Sequence, residues 1–206
     1  MSPPNGKLTL GDISDLRAYE REREAFRAHI IELKKRRRVP VGPVITVLFE
    51  SRDTIRFQIQ EMARTERILT DVGIQTELDI YNPLVPGRGH LAATIFIELT
   101  SEEELGEWLP KLVGVERSVE LRLGGADPVH PEVVAAQLDP AHAEQLTRED
   151  TTASVHYLHW ALTPEQVARF GAGPVELAIR HPSYAESTAL SEATRAELLG
   201  DLGGEP

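Results

Sequence analysis

Leu16, Tyr19, Phe26, Ile30 and Leu33 fall on a and d positions of one heptad frame, with Arg23 at the a position between them. A seam this narrow belongs to a helix that buries one side. The spacing predicts a long helix over about residues 10–37, opened by Thr9-Leu10-Gly11-Asp12 as a capping box. Its outer faces carry Arg17, Glu20, Arg21, Glu22, Glu24 and Arg27, several at i,i+4 spacing. It closes on Lys34-Lys35-Arg36-Arg37-Arg38, cations at the negative end of the helix dipole, and Pro40, Gly42 and Pro43 stop it. The seam packs either within the chain or against a second copy, and the pattern leaves both open.

Beyond this helix the apolar spacing changes. Val44–Phe49 is a β-branched run that reads as a buried strand. A second helix is predicted over about 52–70, with Ile55, Ile59, Met62 and Leu69 as its apolar stripe. Residues 79–90, rich in Pro and Gly, read as a surface loop. Strands are expected at 91–100, 118–123, 132–138, 153–162 and 175–181, and helices from Ser101, Thr163-Pro164 and Ser191. The fold class is therefore α+β: two N-terminal helices followed by a largely antiparallel sheet with helices packed on it. Residues 1–8 read as a flexible arm and 203–206 as a frayed tail.

Charge is divided unevenly along the chain. Residues 1–70 carry 14 Lys+Arg against 10 Asp+Glu, a net of +4, and the remainder carries 8 against 23. The N-terminal part is thus expected to face something anionic. A pI near 5.1 and 5% aromatic residues argue against nucleic-acid binding, because a phosphate backbone repels an acidic protein that lacks a strongly segregated basic face. The chain has no cysteine, which removes disulfides, thiolate metal sites and cysteine nucleophiles. No apolar signal region opens the sequence and no run is long enough to span a membrane, so a cytoplasmic protein is expected.

The clearest candidate site is a stripe of Arg52, Arg56, Gln60, Arg64 and Arg67, spaced to share one helix face. Guanidinium forks there would bind carboxylates or phosphates, or pair with nearby acids. A possible pocket is placed where the stripe approaches Tyr81, Asn82 and His181. His156 and His159 sit in a predicted strand, where positions i and i+3 face opposite ways, so they do not form a metal pair. Gly87-Arg88-Gly89 lacks a dinucleotide-binding context, and Ser183 lacks a nucleophile elbow. No catalytic residue, metal site or cofactor is assigned.

Three stretches resemble a bacterial family catalogued as domain-of-unknown-function family 3501: Asp15 to Arg23, Phe49 to Met62 and Glu77 to Leu84. Trp108 to Leu112 and Val175 to Pro182 also fit. The resemblance covers about residues 7–200 and implies one domain over 9–202, its helical part about 9–70 and its sheet part about 71–202. Family members are often encoded beside rubrerythrin-like proteins and iron–sulfur oxidoreductases. The resemblance therefore implies a non-catalytic accessory or docking partner of such a redox system. The alternatives are a small anionic-ligand-binding protein or enzyme using the arginine stripe, and nucleic-acid binding through the basic helix end.

Overall fold

The structure, a computed structural model, describes residues 6–124, 129–138 and 151–203. The fold is α+β, with two antiparallel sheets and, among the described residues, six α-helices. The capping box at Thr9 and Asp12 forms, but over a single 3-10 turn, Leu10–Asp12. The long helix α1 (Leu16–Arg37) starts later than the apolar spacing predicts, because Asp15 caps it by accepting from the Ala18 N–H. Of the arm expected over 1–8, residues 1–5 lie outside the described residues, and the rest is held: Leu8 is buried and Lys7 donates to the Asn82 and Val85 carbonyls. In the tail, Gly203 ends the last helix in a left-handed conformation, while 204–206 lie outside the described residues.

After α1 the chain turns back on itself at once. β1 (Arg38–Val41) pairs with β2 (Ile45–Phe49), and Pro40 is tolerated because β1 is an edge strand. The turn needs Gly42: its φ is +72°, and a Cβ there would lie 2.5 Å from the Tyr184 hydroxyl. α2 (Arg52–Glu66) opens on a Ser51–Thr54 capping box and stops at Arg67, which holds φ +55°. The helix expected over about 52–70 therefore ends early, at Glu66, and Thr70 caps a further helix that the sequence pattern did not assign, α3 (Asp71–Tyr81), which runs into the start of the expected loop. A 3-10 turn, Asn82–Leu84, follows.

β3 (His90–Ile97), α4 (Glu102–Lys111), β4 (Val119–Leu123), β5 (Glu132–Ala135), β6 (Gln137–Leu138) and β7 (Val155–Ala161) come next. α5 (Pro164–Ala172), β8 (Val175–His181), β9 (Tyr184–Ala189) and α6 (Glu192–Leu202) complete the described elements. The first sheet runs β1-β2-β3-β7-β6 and the second β5-β4-β8-β9. The single strand expected over 132–138 is divided between the two sheets.

The faces of the first sheet do different jobs. Val47, Phe49, Ile95 and Trp160 share one core with Leu121, Leu177 and Ile179 of the second sheet, and Phe170 and Leu198 of α5 and α6 join it. By strand alternation Thr46 and Leu48, Thr94 and Phe96, and Val155 and Tyr157 turn the other way. That face meets the helical layer, where Ile55, Ile59, Leu78 and Leu84 form a second cluster with Tyr157 packed on it.

Candidate functional site

The arginine stripe does not form an open cationic face. The Arg52 guanidinium donates to Asp12 Oδ1 at 2.5 Å and to the Gly6 carbonyl at 3.1 Å. Arg56 donates to the Asp12 carbonyl at 2.8 Å and lies over the Phe26 ring, 4.9 Å from its centroid. Gln60 is fully buried, its side chain donating to the Ser14 carbonyl and accepting from the Ser14 N–H. Arg64 stands 3.6 Å from both Glu20 and Glu61. Arg67 falls beyond the helix and borders an exposed cleft with Leu16, Arg17 and Leu69. The first four therefore fasten α2 to the segment before α1 and to α1 itself. Arg23, which interrupts the apolar seam, forks onto Glu61 at 2.8 and 2.9 Å, and the Tyr19 hydroxyl donates to the same carboxylate at 2.7 Å.

The pocket residues do not converge either. Asn82 exchanges two hydrogen bonds with the Leu8 backbone, at 2.8 and 2.9 Å, and so pins the arm. His181 ends β8 in the second sheet, its Nε2 3.0 Å from the Val113 carbonyl and its Nδ1 accepting from the Ser183 N–H. Tyr81 alone of the three lines a cavity between the helical layer and the first sheet.

That cavity has a volume of about 220 Å³. Its floor is Glu50, which directly follows β2 and continues the parity of Thr46 and Leu48. Glu50 is only 7% exposed. The Thr54 hydroxyl lies 2.5 Å from its Oε2 and the Thr94 hydroxyl 2.6 Å from its Oε1. Burial pushes the carboxyl above the ordinary glutamate range, against the lowering pull of the two hydroxyls, Lys34 and Arg37. Burial likewise raises the Tyr157 phenol. Lys34, Gln58, Tyr81 and Tyr157 add polar groups to its lining, Gln58 being exposed, and Leu48, Ile55, Leu84, Phe96 and Val155 supply apolar wall.

The floor is braced from behind. Arg37, at the end of α1, donates to the Glu50 carbonyl at 3.3 Å. Its charge is taken up by Asp201, through bonds of 2.6 and 3.0 Å, and by Glu197 at 2.9 Å, both on α6. The rest of the basic run is also spent within the chain: Lys35 on Glu32, Arg36 on Glu197 and Arg38 on Glu98. Among the described residues Lys34 is the one member of the run with no carboxylate in ion-pair contact; its ammonium lies 5.9 Å from the Phe57 ring centroid.

Sequence reasoning found Tyr81 and the basic run but passed over Glu50, Thr54, Thr94 and Tyr157. One signal was available: an acid one step past a largely apolar strand, with Thr54 four residues on in the first turn of a helix. Among the described residues no three His, Asp or Glu side chains gather in a way that would hold a metal ion, and no helix is long and apolar enough to cross a membrane.

The family model described as Protein of unknown function (DUF3501) matches residues 7–202. A crystal structure of a novel protein of unknown function from Burkholderia pseudomallei is similar to this chain at 37% identity, covering 96% of this chain and 100% of its own, with a TM-score of 0.85. No curated protein matches the chain.

Proposed function

We propose that this chain, which belongs to the DUF3501 family, is a small-ligand-binding protein whose ligand occupies the cavity over Glu50. The observation that carries the reading is the buried carboxyl itself. Removing a carboxyl from water is costly, and packing alone is served better by an apolar residue of similar size. Here the cost is met by two threonine hydroxyls, and the carboxyl faces an opening rather than solid core. Convergent polar groups in a largely apolar concavity are the usual make-up of a small-molecule site.

The accessory reading, in which an iron–sulfur oxidoreductase or rubrerythrin-like partner meets Arg52, Arg56, Gln60, Arg64 and Arg67, draws less support. The first four of these side chains already have partners within the chain.

The test is a fragment titration of the full chain with labelled tyrosines, followed by NMR. Small acids, amides, alcohols and amines are screened for shifts at Tyr81 and Tyr157. Gln58 is exposed at the opening, so Gln58→Trp plugs the cavity without touching the core. Shifts that vanish in a folded Gln58→Trp variant support the reading. A panel that moves neither tyrosine, or moves them equally in the plugged variant, overturns it.

A further inference from the structure

The hydrogen bonds to Glu50 describe a carboxylate. The Thr54 hydroxyl lies 2.5 Å from its Oε2 and the Thr94 hydroxyl 2.6 Å from its Oε1. Both separations are those of a hydroxyl donating to a charged oxygen. Thr54 Oγ1 itself accepts from the Ser51 N–H at 2.8 Å. The Ser51 carbonyl already accepts from the Ile55 N–H at 3.1 Å, so the Thr54 hydrogen is left for Glu50. The carboxylate is thus held by two neutral donors, and each of its oxygens keeps acceptor capacity.

The floor lacks a counter-charge in contact. Buried charges are ordinarily paired. The two cations whose charge reaches Glu50, Lys34 and Arg37, both stand outside ion-pair contact with its carboxylate. Arg37 spends its charge on Asp201 and Glu197 and meets only the Glu50 backbone carbonyl. The Lys34 ammonium lies 5.9 Å from the centroid of Phe57, a ring outside the cavity lining. Tyr81 and Tyr157 line the same cavity, and aromatic rings attract a cation electrostatically. The remaining wall is apolar, from Leu48, Leu84 and Phe96 among others. A cavity of about 150 Å³ holds a benzene molecule. One of about 220 Å³ has room for a ring or short chain together with an amino group.

We infer that the ligand is a small amine with a compact apolar body, bound as its ammonium cation to the Glu50 carboxylate, with Tyr81 and Tyr157 beside it and Leu48, Leu84 and Phe96 against its body. The inference rests on the ligand-binding reading and adds the ligand's charge and shape to it. The ligand supplies the positive charge in contact with Glu50 that the chain does not, and its N–H groups use the acceptor capacity the two threonines leave.

Benzylamine, benzyl alcohol and benzoate are close in size and differ in charge, so they separate the cases. The full chain is titrated with each near neutral pH and low salt, with the Tyr81 and Tyr157 signals as readout. Benzylamine is expected to bind about ten-fold or more tightly than benzyl alcohol, the range a charge-assisted contact supplies. Glu50→Gln, which keeps the shape of the floor and removes its charge, should erase that preference. Gln58→Trp should abolish binding, which separates the cavity from general attraction of a cation to an acidic chain. Equal binding of benzylamine and benzyl alcohol overturns the ligand class while leaving the ligand-binding reading intact. Preference for benzoate does the same, and so does a benzylamine preference that survives Glu50→Gln. Failure of all three probes to move either tyrosine overturns the class, and the wider fragment panel then decides the reading on its own.

Discussion

Arg37→Met tests whether the brace behind the cavity floor holds the fold together. The Arg37 side chain is 3% exposed and makes a bidentate contact with Asp201, one bond to Glu197 and one to the Glu50 carbonyl. Methionine keeps the stem and removes the charge. Breaking a buried ion pair from one side costs about 3–5 kcal/mol, because the other charge is left stranded. Here Asp201 retains 18% exposure and Glu197 retains 22% together with its contact to Arg36. Water and Arg36 therefore recover part of the loss, which places the expected cost at the lower end, about 3 kcal/mol. For a chain of this length each kcal/mol moves the melting temperature by about 2–4 °C, so Tm should fall by roughly 6–12 °C. Urea unfolding followed by Trp108 and Trp160 fluorescence measures the change, and calorimetry checks it. Adding Asp201→Asn removes the stranded charge and should return about half of the loss, which a double-mutant cycle reads directly. A cost below about 1 kcal/mol for Arg37→Met, the level of a solvated surface pair, would refute the reasoning.

Two further variants test the carboxylates by pH. Burial raises the Glu50 carboxyl, so above the unfolded-state value the folded protein binds more protons than the unfolded one, and stability falls as pH rises through the folded value. Glu50→Gln should match the wild type near pH 4 and exceed it near pH 8 in urea midpoints; parallel profiles would show that Glu50 carries no such penalty. Glu61 is the opposite case: hydrogen bonds from Arg23, aided by the Tyr19 hydroxyl, hold it down to about 2. Its stabilisation is complete above the unfolded value and is lost as pH falls toward about 2, so Glu61→Gln should flatten the acid limb of the stability curve, and an unchanged limb would refute the assignment.

The elements that were legible are those that carry their own boundaries. Ser101, Thr163 and Ser191 each cap the helix the sequence assigns to them, since the cap is a local hydrogen bond. Arg67 was not legible as a helix end, because a non-glycine residue gives no sign that it will adopt a left-handed conformation. With the break there, Leu69 leaves the predicted apolar stripe and is 79% exposed. β9 was missed because it is an edge strand with polar residues such as Glu186, Ser187 and Thr188, whose run lacks the apolar alternation of a half-buried strand. The second sheet was missed for a different reason. Pairing β4 with β8 joins distant parts of the chain, and no local pattern encodes which strand a strand will choose.

The charge asymmetry shows how a sequence-level signal is changed by folding. The excess cations of residues 1–70 do suggest an anionic partner, but several of those partners are elsewhere in the same chain. Arg36 and Arg37 take Glu197 and Asp201 from the last helix, and Arg38 takes Glu98 from beyond the end of β3. Arg52 takes Asp12, which lies close in sequence to the acids of α1 that serve Arg56 and Arg64. An attraction spread over the whole sequence thus becomes a set of internal contacts, and these give no specificity for an outside ligand. Lys34 is distinguished because it is the member of the basic run left in the lining of a cavity without an ion-pair partner among the described residues. Arg37, three positions further along the same helix, braces the floor of that cavity. The last turn of α1 therefore carries both Lys34, which lines the cavity, and Arg37, which holds the Glu50 backbone beneath it. A helix of this length has to be placed accurately for that to work, and the inward pairing of Arg23, Arg52, Arg56 and Arg64 is what places it.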